Sequence, residues 1–192
     1  GFDMGPTLWS VCRYVQQGFS RANAVLKTHH DFAEKTAGIA PAHRAAPLAL
    51  FYRGSTLDKV VKEEAALSHH SDVAAQSSVA TARLCAALLD GESLEESCAR
   101  ATSGLSEIEL AHLREQARYV GGFAPKVLQT AVSFLRESTD LSTALLASLD
   151  FAGPNNYCPV LVGSIGACLY KEVPNKLFEH PLCPKDIQAF FD

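Results

Sequence analysis

Glycine stops and polar starts divide this chain into consecutive apolar-periodic runs. Gly18, Gly38, Gly91, Gly104 and the Gly121-Gly122 pair each close such a run, and Ser, Asp or Ser-x-x-Glu sequences open several of the next ones. Side-chain oxygens that cap free N–H groups at one end, and glycines that tolerate a left-handed turn at the other, are the local chemistry of helix boundaries. Strand patterning is nearly absent. The β-branched run "PVLVG" continues directly into a small-residue pattern of helical type. The chain therefore reads as all-α, one domain over residues 1–192, with short connections and no internal repeat.

The spacing predicts helices over 8–18 and 21–37, then a buried turn or two at "APLALFY" (46–52). Ser55-Thr56-Leu57-Asp58 reads as a capping box, followed by an apolar face of Leu57, Val60, Val61 and Ala65. Asp72 reads as the cap of a helix with Val73, Ala80, Leu84 and Leu88 on one face, and Ser93-x-x-Glu96 opens a shorter one. Ser106-x-x-Glu109 opens a helix expected to run to Gly121-Gly122, with Leu105 and Leu110 as a hydrophobic staple. Further helices are expected over 124–137, 141–149 and 157–170, and a short one from Pro184 with Ile187, Phe190 and Phe191 apolar. Small residues at 73–89 and 160–169 suit central helices whose neighbours come close.

Composition narrows the function. A net charge of −4 with no Lys/Arg run argues against nucleic-acid or anionic-membrane binding. No stretch reads as a membrane span, and the start "GFDMGPTLW" lacks the pattern of a signal peptide, so a cytoplasmic location is the expectation. The six cysteines include no Cys-x-x-Cys and read as small buried hydrophobes.

Candidate chemistry is sparse. There is no dinucleotide fingerprint, phosphate loop, nucleophile elbow or zinc-protease motif. His29-His30 reads as surface. His69-His70, in a tight junction between two helices, suits ordering of that turn or ligand contact. Arg44, beside an irregular turn, fits an anion clamp or an internal salt bridge equally well. The segment "DFAGPNNYCPVLVGSIGACLY" is a Gly-Pro-Asn-Asn turn running into a helix start, a place for an anion or a metal, yet the turn itself has no carboxylate.

Four stretches, taken in order, resemble the ADP-ribosylglycohydrolase family. "AGIAPAHRAAPLAL" is similar to its Gly-Asn-Gly-x-x-Met-Arg-x-x-Pro-Leu segment, with Arg44 on the Arg and Pro47 on the Pro. "ALSHHSDVAAQSS" is similar to its Thr-His-x-x-Pro turn, with His70 on the His and His69 on the Thr. "ARYVGGFAPKVLQTAVSFLRESTDLSTALLASL" resembles the helix pair before the metal loop. "FAGPNNYCPVLVGSIGACLY" resembles the Gly-Gly-Asp-x-Asp-Thr loop and its small-residue helix, with Gly163 and Gly166-Ala167 on the small positions.

The resemblance implies an orthogonal multi-helix bundle with a ligand cleft, which in active relatives holds two Mg²⁺ ions that help cleave an ADP-ribose bond. The departures concern the metal. Pro154 and Asn156 stand on the two aspartates and Tyr157 on the Thr, and the Gly-Asn-Gly turn is Gly38-Ile39-Ala40. Mg²⁺ requires hard, charged oxygen ligands, which Pro lacks and Asn supplies only as a neutral carbonyl. The family's remaining acidic metal ligands and its catalytic acidic residue lie in an N-terminal part without a counterpart here, as in a fragment or a shortened relative.

The expectation is a degenerate member that binds ADP-ribose or a related nucleotide without hydrolysis. Its contacts would be Arg44, His70, Gly153, Asn155, Asn156 and Tyr157, with no catalytic residue, no metal ligand and no cofactor. Two alternatives stand beside it. One is an active Mg-dependent hydrolase of ADP-ribosylated protein with carboxylates from elsewhere, for which Asp31, Asp72 and Asp150 are candidates. The other is a structural or assembly protein that self-associates as a homo-oligomer.

Overall fold

The computed structural model describes residues 5–152 and 157–172. The helix expected from Pro184 lies outside them. The elements are α1 (Pro6–Gln16), α2 (Arg21–Asp31), α3 (Ala40–Ala45), α4 (Leu48–Phe51), α5 (Gly54–Ala65), α6 (Asp72–Leu89), α7 (Leu94–Thr102), α8 (Ile108–Ala111), α9 (Ala124–Glu137), α10 (Leu141–Ala152) and α11 (Cys158–Tyr170). Among the described residues there is no strand, only an isolated antiparallel bridge between Gly38 and Phe123. The fold is all-α, and no described helix is long and apolar enough to cross a membrane.

Helix α6 is the axis of the bundle. It packs against α3, α4, α5, α7, α9 and α11. It can be buried along most of its length because its residues are small and its hydroxyls are satisfied within the helix. Ser77, Ser78 and Thr81 donate to the carbonyls of Val73, Ala74 and Ser77 at 2.8, 2.8 and 2.9 Å. Leu84 and Leu88 then supply the bulk, each worth about 1.5–3 kcal/mol when fully buried. Gly91 (φ +96°) and Gly104 (φ +72°) follow α6 and α7 in left-handed conformations, as the stops predicted.

The α11 helix comes closest to its neighbours. A Cβ on Gly166 would lie 2.7 Å from Leu141 Cδ1 and 2.9 Å from Leu135 Cδ2, so only glycine fits where α9, α10 and α11 meet. In contrast, the α1–α2 hairpin has its own small core of Val11, Tyr14, Ala24 and Val25.

Several local expectations are corrected. The second helix ends at Asp31, not near Gly38, because Ala33 (φ +49°) and Glu34 (φ +64°) turn left-handed. The 46–52 segment buries Ala46 and Ala49 but leaves Leu50 62 % and Phe51 78 % exposed, so it is not a buried turn. Ser55 caps nothing: α5 starts at Gly54, and Asp58 instead pairs with Arg83 at 2.5 Å. Ser71, not Asp72, caps α6, its hydroxyl accepting from Ala74 N. The Ser93–Glu96 capping box forms as expected.

The helix expected over 106–120 is reduced to the single turn of α8. Gln76 Oε1 accepts from Ser106 N and Glu107 N at 2.8 and 2.9 Å, and Glu107, not Ser106, is the cap. Beyond α8, side chains of α9 take over the backbone. Gln129 donates to His112 O at 2.8 Å, Ser133 Oγ accepts from Ala117 N at 2.9 Å, and Thr130 Oγ1 accepts from Tyr119 N at 3.0 Å. These bonds satisfy groups that a continuing helix would have satisfied internally.

Candidate functional site

A cleft of about 500 Å³ opens where the end of α2 meets the α5–α6 junction, lined by His29, Glu34, Lys62, His69, His70 and Asp72 among others. The left-handed residues after α2 carry Glu34 back so that its N–H donates to His29 O at 2.8 Å, which sets both side chains at the cleft. His29 is half-buried, not a plain surface residue. Its Nδ1 lies 2.6 Å from Thr36 Oγ1, and its ring meets that of His70 edge to face at 4.9 Å. Thr36 Oγ1 in turn donates to His70 O at 3.4 Å, so its hydroxyl accepts from His29 Nδ1–H and leaves Nε2 unprotonated. Burial and the neighbouring His70 hold His29 below its ordinary pKa.

His69, not His70, is the buried imidazole at this junction, with 5 % of its surface exposed. Ser68 Oγ accepts from Arg44 Nη2 at 2.9 Å, so its own proton goes to His69 Nδ1 at 2.8 Å. The ring proton therefore sits on Nε2, which faces Gly38. Burial, and then the charge on Arg44, push His69 down to about 4, so the ring is a neutral donor at physiological pH. Arg44 itself is held on three sides: Glu64 Oε1 at 2.5 Å, Ala40 O at 3.1 Å and Ser68 Oγ. The second oxygen of Glu64 is buried without a hydrogen-bond partner.

The turn at Gly38 lies between this junction and α11. Ile39 N donates to Gly122 O, and Ala124 N to Ala37 O, both at 3.0 Å. Tyr157 packs its ring edge toward Gly122, while its carbonyl accepts from His43 Nε2 at 2.9 Å. His43, which the sequence did not single out, thus ties α3 to the start of α11, and burial lowers its pKa. The signal was present only as a second basic residue beside Arg44.

Of the residues named from sequence, Arg44, His70 and Tyr157 are gathered around the Gly38 turn and the α5–α6 junction. Arg44 stands behind His69, and His70 is exposed at the cleft. Gly153, Asn155 and Asn156 lie outside the described residues. The candidate acids are scattered. Asp31 accepts from Tyr14 and Lys27, Asp72 lines the cleft and accepts from Gln76 at 3.0 Å, and Asp150 is exposed on α10. Among the described residues no three His, Cys, Asp or Glu side chains group so as to hold a metal ion, and the cleft offers imidazoles where Mg²⁺ would require carboxylates. The described residues do not fit that ion.

Residues 1–186 match the family model ADP-ribosylglycohydrolase. A solved structure titled "ADP-ribosylglycohydrolase-related protein complex" superposes with a TM-score of 0.73 at 19 % identity, covering 93 % of this chain and 70 % of that one. At that identity the likeness is one of fold. No curated protein sequence matches the chain.

Proposed function

Because the chain belongs to the ADP-ribosylglycohydrolase family, we propose that it binds ADP-ribose or a related nucleotide without hydrolysing it. The observation that carries this reading is a contrast. Backbone turns and hydrogen-bond donors surround a cleft, while the positions resembling the family's paired aspartates are Pro154 and Asn156. A doubly charged cation needs charge-neutralising oxygens, and two neutral residues remove about two negative charges from such a site.

Binding is within the reach of the groups that remain. His69 Nε2–H is a neutral donor held in place by Ser68. Lys62 adds a charge at the same cleft. Tyr157 begins α11, whose first-turn N–H groups favour anions. The reading requires no cofactor, places the protein in the cytoplasm and calls for no nucleic-acid or membrane partner. The exposed Leu50 and Phe51 are where a homo-oligomer contact would form.

Asp72 and Glu34 give the hydrolase alternative its one foothold, since both line the cleft. The two readings separate in a turnover assay with ADP-ribosylated protein and Mg²⁺. The proposal expects no ADP-ribose release above the uncatalysed background. Release that disappears in Asp72→Asn and Glu34→Gln would establish the hydrolase instead.

A further inference from the structure

We infer that Cys168 and Cys85 form a peroxide-responsive dithiol that closes into a disulfide between α11 and α6, a modification site distinct from the nucleotide cleft. Both cysteines are free thiols, on two helices that pack directly against each other, and the two side chains hydrogen-bond to one another. Their surroundings differ in the way a sensing pair requires. Cys85 is fully buried in the core, whereas Cys168 is half-buried, with its Sγ 3.3 Å from Ser164 O.

The mutual hydrogen bond and burial both push the Cys85 thiol up, while the same bond draws the Cys168 thiol down. The sulfur nearer solvent is therefore the one that ionises first, and the thiolate is the nucleophile toward peroxides. Cys98 and Cys158 are each pushed up to about 12 by burial and compete poorly for the same oxidant. A low-pKa accessible cysteine beside a second thiol that can resolve it is the arrangement that gives reversible oxidation.

The chemistry balances with a hydroperoxide as oxidant. The Cys168 thiolate attacks one peroxide oxygen, the O–O bond breaks, and the departing hydroxide takes a proton to leave as water, forming a sulfenic acid. The Cys85 sulfur then attacks the Cys168 sulfur, its thiol proton passes to the leaving hydroxyl, and a second water departs as the S–S bond forms. Two thiols have been oxidised by two electrons and one peroxide reduced.

The test uses the full chain, exposed to a small excess of hydrogen peroxide, then unfolded, alkylated with N-ethylmaleimide and mapped by peptide mass spectrometry. The expected result is a peptide joining Cys85 to Cys168 that dithiothreitol separates, absent from Cys168→Ser. In Cys85→Ala, dimedone should trap the Cys168 sulfenic acid; should that core variant fail to fold, the wild-type map and Cys168→Ser decide the matter alone. The proposal is overturned if both thiols are still alkylated after peroxide, if Cys168 is over-oxidised while Cys85 stays free, or if either residue is joined to a different cysteine.

Discussion

His69 Nε2 lies 3.2 Å from the point that a Cβ on Gly38 would occupy, which makes the buried imidazole and the glycine turn one packed unit. A contact that short obliges the ring to move, and the ring is fixed from behind by Ser68. Gly38→Ala is therefore expected to destabilise the protein by about 1 kcal/mol through overpacking, read as a lower urea midpoint with unchanged slope. An unchanged midpoint would mean that the ring is free to shift.

Acid should weaken the fold before the carboxylates titrate. His69 falls to about 4 in the folded protein from a model value of 6.5, so between those values the unfolded chain binds more protons. The stabilisation is complete above 6.5 and is lost as pH falls toward 4. The shift corresponds to roughly 3 kcal/mol. His29 and His43 are depressed as well and act in the same direction. Stability measured from pH 7 to pH 5 should fall in the wild type and fall less in His69→Gln; equal slopes would contradict the assignment.

Removing Arg44 should cost more than an ordinary surface ion pair. The pair it forms with Glu64 has side chains 36 % and 19 % exposed, so solvent screens it only in part. Arg44→Met leaves Glu64 with both oxygens unsatisfied and Ser68 without its donor. The expected loss is about 1–3 kcal/mol by chemical denaturation, partly recovered in Arg44→Met/Glu64→Gln, where the stranded charge is gone.

Gly166→Ala sets two magnitudes against each other. Alanine gains about 1 kcal/mol of helix propensity over glycine. Its methyl would meet the tips of Leu141 and Leu135, both buried, at 2.7 and 2.9 Å. Overpacking of that kind costs about 1–3 kcal/mol, so net destabilisation is expected. A rise in thermal midpoint would show that the two leucines can rotate away.

These particulars also mark what was legible in the sequence. The stops at Gly91 and Gly104, the Ser93–Glu96 box, α9 and the small-residue face of α11 rest on chemistry within a few residues, and the pattern displays it. The segment after Ser106 does not: its backbone is satisfied by Gln76, Gln129, Thr130 and Ser133, which are distant in sequence. The early end of α2 depends on Ala33 and Glu34 in left-handed conformations that their residue types rarely adopt. In the site, His69 and His70 are adjacent and of one type, so only burial tells them apart. The role of His43 depends on Tyr157, 114 positions away.

The most direct test is thermal unfolding with ADP-ribose, in the presence and absence of Mg²⁺. At ~100 times its dissociation constant a ligand stabilises by about 2.7 kcal/mol, a rise of a few degrees for a domain of this size. The account expects that rise without Mg²⁺, no further rise with it, and its loss in His69→Ala. A shift that appears only with Mg²⁺, or no shift in either condition, would contradict the central claim that this fold binds the nucleotide without the metal.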